Sequence, residues 1–147
     1  MESENYRPIS LLSIFNKIFE KSLYTRIYSY FTKNKLFAKK QFGFRKNYST
    51  DHALISITET IKSLIKKGQF VCGVFLDLEK AFDTISHPTL CEKLNYYGLR
   101  GKVNHLIKSY LSNRSQFVSI NGLYSDKKFI THGVPQGSTL GPLYYPS

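Results

Sequence analysis

Apolar side chains recur at Ile14, Ile18, Leu23, Ile27, Tyr30 and Phe31, roughly every third or fourth position. This period predicts an amphipathic helix from Ser13 to about Thr32, with Ser13 as a fair N-cap. Asn34, Gly43 and Asn47 then break the pattern, so residues 33–48 read as an irregular basic connection. Leu54, Ile57, Ile61, Leu64 and Ile65 restore a helical stripe, and a second helix is expected from about Thr50, able to cap it, to Lys67, with Gly68 ending it.

The period then changes. Residues Phe70 to Leu76 form a continuous apolar run rich in β-formers, too short for a helix and suited to a strand buried on both faces; it stops at Asp77. Ser86 opens a third helix with Pro88 in its first turn, Leu90, Leu94 and Tyr97 on one face, and Gly98 after it. A fourth, about 102–112, groups Val103, Leu106, Ile107, Tyr110 and Leu111. Gln116–Ile120, the dipeptide Asn121-Gly122 and a second run to Ile130 predict a β-hairpin. Helices mixed with a buried strand and a hairpin make the fold class α+β. The chain shows no internal repeat, low-complexity tract or linker, and its 147 residues suit one domain or a piece of one.

Composition narrows the class. Hydrophobic residues at 41% and aromatic residues at 15% support a packed core and argue against disorder. The 21 Lys and Arg outnumber the 10 Asp and Glu, for a net charge of +11, which favours polyanionic partners such as nucleic acid or an anionic surface. That charge is uneven: +7 over residues 1–50, zero over 51–100 and +4 over 101–147. No apolar run reaches the roughly 18–20 residues of a membrane span, and the acidic start is unlike a signal peptide, so the expectation is an intracellular protein of nucleus or cytoplasm, without a membrane partner. In that setting the sequons at Asn47 and Asn113 carry no meaning, and Cys72 and Cys91 make neither a disulfide framework nor a thiolate zinc site.

Several residues could carry chemistry. Asp77, Glu79 and Asp83 gather three of the ten acids within seven residues. A carboxylate closing a buried strand is costly unless paired or bound to a cation, so Asp77 is either a metal-binding or catalytic acid or an N-cap or turn acid at the strand's exit. Glu79 shares its parity, and Asp83 could cap the next turn. Phe82, read by itself, is a core aromatic. The stretch Gly133 to Pro142 has three glycines that permit close backbone approach to a ligand and two prolines that stiffen it, but is no phosphate-loop signature. Arg7, Lys39, Lys40, Arg45 and Lys46 stand among Phe37, Phe42, Phe44 and Tyr48, which fits either nucleic-acid or triphosphate contact or a solvated basic face over a small aromatic core. His52, His87, His105 and His132 share no spacing and read as structural or surface residues.

Taken in order, Asn5-Tyr6-Arg7-Pro8-Ile9-Ser10-Leu11-Leu12, Gln41-Phe42-Gly43-Phe44-Arg45 with Ser49-Thr50, Phe75 to Asp83, and Gly133 to Ser138 with Leu140-Gly141-Pro142 resemble the fingers and palm of the reverse transcriptase of non-LTR (LINE-type, jockey-like) retrotransposons. The resemblance covers nearly the whole chain. It implies a right-hand polymerase, with about 1–69 as fingers-like helices and basic loop and about 70–147 as partial palm. It implies RNA-directed DNA polymerase activity by two-metal nucleotidyl transfer, with magnesium (manganese as a substitute), an RNA template, a DNA primer and deoxynucleoside triphosphates. By that resemblance Asp77 is the first catalytic aspartate and a metal ligand, and the Leu78 carbonyl is a further ligand. Phe82 blocks a ribose 2′-hydroxyl, Gln136 and Gly137 lie beside nucleotide and template, and Arg45 and Arg7 meet triphosphate or template. Lys39, Lys40 and Lys46, in the basic loop, are expected to serve nucleic-acid binding.

The family pattern also continues to an adjacent Asp-Asp pair, which this sequence does not contain; after Asp83 its acids are Glu92 and Asp126. Tyr144-Tyr145-Pro146-Ser147 is unlike the expected continuation. The expectation is therefore a fragment, truncated at both ends relative to an element that also carries an endonuclease and a thumb, and unable to polymerise alone because one carboxylate does not clamp two divalent ions. The competing expectations are a non-catalytic basic nucleic-acid-binding remnant and a pseudogene product without a stable fold.

Overall fold

The computed structural model describes residues 9–78 and 80–144. They form helices α1 (Ile14–Lys33), α2 (Thr50–Lys66), α3 (His87–Tyr96) and α4 (Lys102–Leu111), then strands β1 (Ser115–Gln116), β2 (Ser119–Ile120), β3 (Leu123–Tyr124) and β4 (Lys128–Phe129), and a short α5 (Gly141–Tyr144). This mixture of helices and small sheets is the α+β class expected. Among the described residues no helix is long and apolar enough to cross a membrane. The chain divides into two compact units, one of residues 9–26 with 80–144, the other of residues 27–78.

Ser13 caps α1 as expected, its hydroxyl accepting from the Asn16 N–H at 3.3 Å. The buried stripe differs from the one the apolar period suggests. Glu20, Leu23, Ile27 and Phe31 are the buried positions, while Ile14 and Ile18 are exposed. Spacings of three, four and four place those four residues on one face, so an acid occupies a core position that apolar counting passes over.

In the first unit, α3 and α4 pack as a helical hairpin through Leu90, Leu94, Ile107 and Leu111, all buried. Each such side chain contributes roughly 1.5–3 kcal/mol of hydrophobic stabilisation. Ser86 caps α3, and Gly98 at φ 94° ends it, with Leu99 N–H returning to Leu94 O at 2.9 Å and Gly98 N–H to Asn95 O at 3.1 Å. β2 and β3 pair antiparallel across Asn121-Gly122, whose φ of 49° and 82° are those of the primed hairpin turn the dipeptide favours. The arms then separate and re-pair, Ser115 opposite Phe129 and Gln116 opposite Lys128.

In the second unit, α2 starts one residue earlier in its capping than expected. Ser49, not Thr50, is the N-cap: its hydroxyl accepts from His52 N–H, and His52 Nδ1 accepts from Ser49 N–H at 3.1 Å. The imidazole fills the place a Glu or Gln takes in the usual reciprocal box. Gly68 ends α2 as expected.

The buried strand expected at Phe70–Leu76 is not observed. Residues 70–78 form neither helix nor strand, and Phe70, Val74, Phe75 and Leu76 are exposed, the last two at 87%. An apolar run is buried as a strand only when flanking strands satisfy its N–H and C=O groups and other layers cover its faces. Among the described residues the strand pairings are β1 with β4 and β2 with β3, so this run has the composition of a central strand without the sheet.

Candidate functional site

Two of the sequence motifs are joined in the first unit by backbone alone. Lys80, at φ 51°, begins a turn in which Asp83 N–H donates to Lys80 O at 2.8 Å. Beyond it Val134 N–H donates to Phe82 O at 2.8 Å and Gly133 N–H to Ile85 O at 2.7 Å. Gly133 is required there: at φ 83°, a Cβ would stand 2.8 Å from Asp83 O and 2.9 Å from Phe82 O. His87 Nε2 lies 2.6 Å from Gly133 O, and because a carbonyl only accepts, that nitrogen carries a proton.

The rest of the loop is tied down as closely. Ser10 N–H donates to Gln136 O at 3.0 Å, and the Ile9 side chain lies against Gly137, 3.7 Å from where a Cβ would be. Gly137 is itself exposed with φ 90°, and Gln136 is half-buried. The Ser138 hydroxyl is buried and accepts from Gly141 N–H at 2.9 Å. Phe82 is half-buried and Asp83 exposed. Three segments far apart in sequence thus meet: Ile9-Ser10, Phe82-Asp83 and Gly133–Gly137.

Sequence reasoning missed Glu20. It is 1% exposed, and its two carboxyl oxygens take separate donors: Oε1 accepts from the Tyr110 hydroxyl, Oε2 from Thr139 N–H at 2.7 Å. Burial first, and the bond to Glu20 next, push the Tyr110 phenol well above its ordinary range, with Arg114, whose guanidinium lies 4.8 Å over the ring, opposing. The available signal was an acid on the 20–23–27–31 stripe. His87, expected to be a structural or surface residue, has a specific structural partner in the Gly133 carbonyl.

Asp77 and Leu78 lie in the second unit, both exposed in the irregular segment. A carboxylate and a main-chain carbonyl are hard oxygen donors of the kind magnesium takes. Among the described residues no group of three or more His, Cys, Asp or Glu converges as metal ligands around them or elsewhere. Arg7 and Glu79 fall outside the described residues.

The basic connection also belongs to the second unit. Arg45 is half-buried: its guanidinium lies 4.2 Å over the Tyr48 ring and 5.2 Å from that of Phe37, and Nη1 donates to the carbonyls of Ala38 and Gln41, each at 3.2 Å. Lys46 N–H donates to the Tyr28 hydroxyl at 2.9 Å, and its ammonium sits 5.3 Å over the same ring. Lys40 reaches Ser56 Oγ at 3.0 Å, and Lys39 is exposed. Lys39, Lys40 and Lys46 therefore present charge to solvent, whereas Arg45 is engaged with its own loop. A cleft of about 630 Å³ between α3 and α4, lined by His87, Cys91, His105 and Lys108 among others, holds none of the predicted site residues.

Comparison with known proteins defines the class. The profile of the reverse transcriptase (RNA-dependent DNA polymerase) family matches residues 2–146, and the chain belongs to that family. It is 36% identical over 97% of its length to the probable RNA-directed DNA polymerase from transposon BS of Drosophila melanogaster. It is 35% identical over 99% of its length to the RNA-directed DNA polymerase from mobile element jockey of Drosophila funebris, and 35% over 98% to the probable polymerase from transposon X-element of Drosophila melanogaster. The chain spans 16% of the length of each of these relatives. No solved structure matches it significantly. The relatives place it with the reverse transcriptases of non-LTR retrotransposons.

Proposed function

We propose that this chain is the nucleotide-facing part of a non-LTR retrotransposon RNA-directed DNA polymerase, with residues to about 69 contributing fingers and residues from about 70 part of the palm. The observation that supports it most is the junction of Phe82 with Gly133-Val134, set beside Ile9-Ser10 on Gln136-Gly137. A sugar-gating ring needs a rigid seat, and a backbone ladder to a glycine-containing loop supplies one.

In this reading Phe82 excludes a 2′-hydroxyl sterically, and Gln136 and Gly137 pack beside the incoming deoxynucleotide and the RNA template. Gly137, with no side chain and an exposed backbone, lets a flat base or sugar approach closely. Asp77, with the Leu78 carbonyl, would hold magnesium or manganese, whose positive charge would lower the pKa of the primer hydroxyl and offset the charge of the triphosphate. Lys39, Lys40 and Lys46 hold template or primer phosphates, and Arg45 and Arg7 the triphosphate or template. The existing bonds of Arg45 use Nη1, which leaves the Nη2 donors of the guanidinium for a phosphate. These 147 residues carry one of the aspartates such chemistry uses and no Asp-Asp pair, so by themselves they bind rather than extend.

The net charge of +11 favours a second reading, a basic nucleic-acid binder with no nucleotide site. Equilibrium binding of a labelled RNA–DNA primer–template, titrated with salt, with and without magnesium and a deoxynucleoside triphosphate, separates the two. The polymerase reading expects binding to tighten with nucleotide and that response to vanish in Asp77→Ala. A steep salt dependence with no nucleotide response leaves only the second.

A further inference from the structure

Among the described residues the Glu20 carboxyl is the one charged side chain in the buried core of the first unit, and nothing in the proposed chemistry uses it. A carboxylate removed from water needs donors on its oxygens, and here each oxygen has one of a different kind. The Tyr110 hydroxyl comes from α4, a packed helix, and the Thr139 N–H from the loop that carries Gln136 and Gly137. Glu20 itself stands on α1, two turns into a regular helix. Among the described residues, the other backbone hydrogen bonds of the loop from Pro135 to Gly141 are local: Ser138 N–H to Pro135 O at 3.0 Å, Gly141 N–H to the Ser138 hydroxyl at 2.9 Å and Leu143 N–H to Leu140 O at 3.0 Å. Among the described residues its hydrogen bonds to other segments are Ser10 N–H on Gln136 O at one end and Glu20 on Thr139 N–H at the other, with the Ile9 side chain packed on Gly137 between them.

We infer that Glu20 is a positioning residue, a buried carboxyl that fixes the pose of the Gln136–Thr139 segment by clamping the Thr139 amide while Tyr110 holds the carboxyl itself in place. This rests on the reading of that loop as the nucleotide side of the polymerase. The clamp has a defined geometry. One oxygen is oriented by a rigid helix, which leaves the other aimed at a single main-chain N–H, and a loop held this way presents Gln136 and Gly137 without searching on each encounter.

The test compares the intact chain with Glu20→Ala, Glu20→Gln and Tyr110→Phe by amide hydrogen exchange and by equilibrium binding of a magnesium deoxynucleoside triphosphate in the presence of primer–template. Glu20→Ala is expected to speed exchange of the Thr139 amide about tenfold or more, with the amides of α3 and α4 unchanged, and to weaken nucleotide binding by a similar factor. Glu20→Gln restores both, because its carbonyl can still accept from Thr139 and its amide can donate to the Tyr110 hydroxyl. Tyr110→Phe gives a smaller, intermediate loosening. Unchanged Thr139 exchange in Glu20→Ala overturns the inference, as does loosening that spreads equally through α3 and α4, which marks Glu20 as general core. If the unaltered chain binds no nucleotide while the exchange pattern holds, the clamp stands and the nucleotide reading of the loop falls.

Discussion

The N–H of Val134 donates to the carbonyl of Phe82 at 2.8 Å, so the residue proposed as the sugar gate is fixed through its main chain to the loop proposed to face the nucleotide. Gly133, immediately before, approaches that main chain so closely that no side chain fits. A Cβ there would meet three backbone atoms of Phe82 and Asp83 at 2.8–2.9 Å, and backbone cannot swing aside as a flexible side chain does. Gly133→Ala is therefore expected to destabilise the chain by at least about 1–3 kcal/mol, from the positive φ and the clash together. Gly43→Ala, with nothing within 4 Å of the added Cβ, should stay within about 0.5 kcal/mol. Urea unfolding of both variants checks this, and equal midpoints would remove the packing argument.

Arg45 and lysine are not interchangeable at the centre of the basic loop. The guanidinium spans two rings and two carbonyls at once, which a point charge on a flexible stem does not reproduce. Arg45→Lys is expected to cost about 1–2 kcal/mol, from lost ring stacking and hydrogen bonds, although formal charge is unchanged. Lys39→Ala, at an exposed position, is expected to leave thermal stability alone while weakening RNA binding. An Arg45→Lys chain as stable as the parent would show that the guanidinium is not needed to hold the loop.

Tyr110 gives the fold an alkaline limit. Its phenol is raised by burial and by the bond to Glu20, so the folded chain holds that proton more tightly than the unfolded chain, whose phenol titrates near 10.0. The folded state binds more protons wherever the unfolded phenol has ionised. Stability from this group is thus complete below pH 10 and declines as pH rises above it. Tyr110→Phe should lower stability at neutral pH by about 1 kcal/mol and flatten the decline above pH 10. Unfolding free energies measured at pH 7, 9 and 10.5 settle it, and parallel curves would speak against the linkage.

The two thiols should react at different rates. Cys72 is exposed, whereas burial pushes the Cys91 thiol up, with Lys108 opposing. Modification with a thiol-reactive dye near pH 8 is expected to label Cys72 first, and Cys91 about tenfold more slowly, because the thiolate is the reactive form. Equal rates would mean that the α3 and α4 face opens readily.

Local structure was written plainly in the sequence. Ser13 and Ser86 capped the helices expected of them, Gly68 and Gly98 stopped theirs, and Asn121-Gly122 turned the hairpin, since caps and tight turns are decided by a few neighbouring residues and their own backbone. Family membership was legible as well, because four ordered motifs lie along the chain itself. The run from Phe70 to Leu76 shows the limit: its residues favour a strand, but a strand is a pairing, and pairing is not a property of one segment. Likewise the period of α1 named its apolar residues without revealing that Glu20 turns inward, since what makes a buried carboxyl tolerable is a hydroxyl on α4 and an amide of a loop near the other end of the chain. The sequence by itself determined the four longer helices, most of their ends and the hairpin turn, which are set by neighbours a few residues apart, and the family, which is set by motifs ordered along the chain. The tertiary structure alone decided which segments meet, that Gly133 seats the backbone of Phe82 and that Glu20 holds Thr139, because those contacts depend on chain segments that only folding brings within reach of one another.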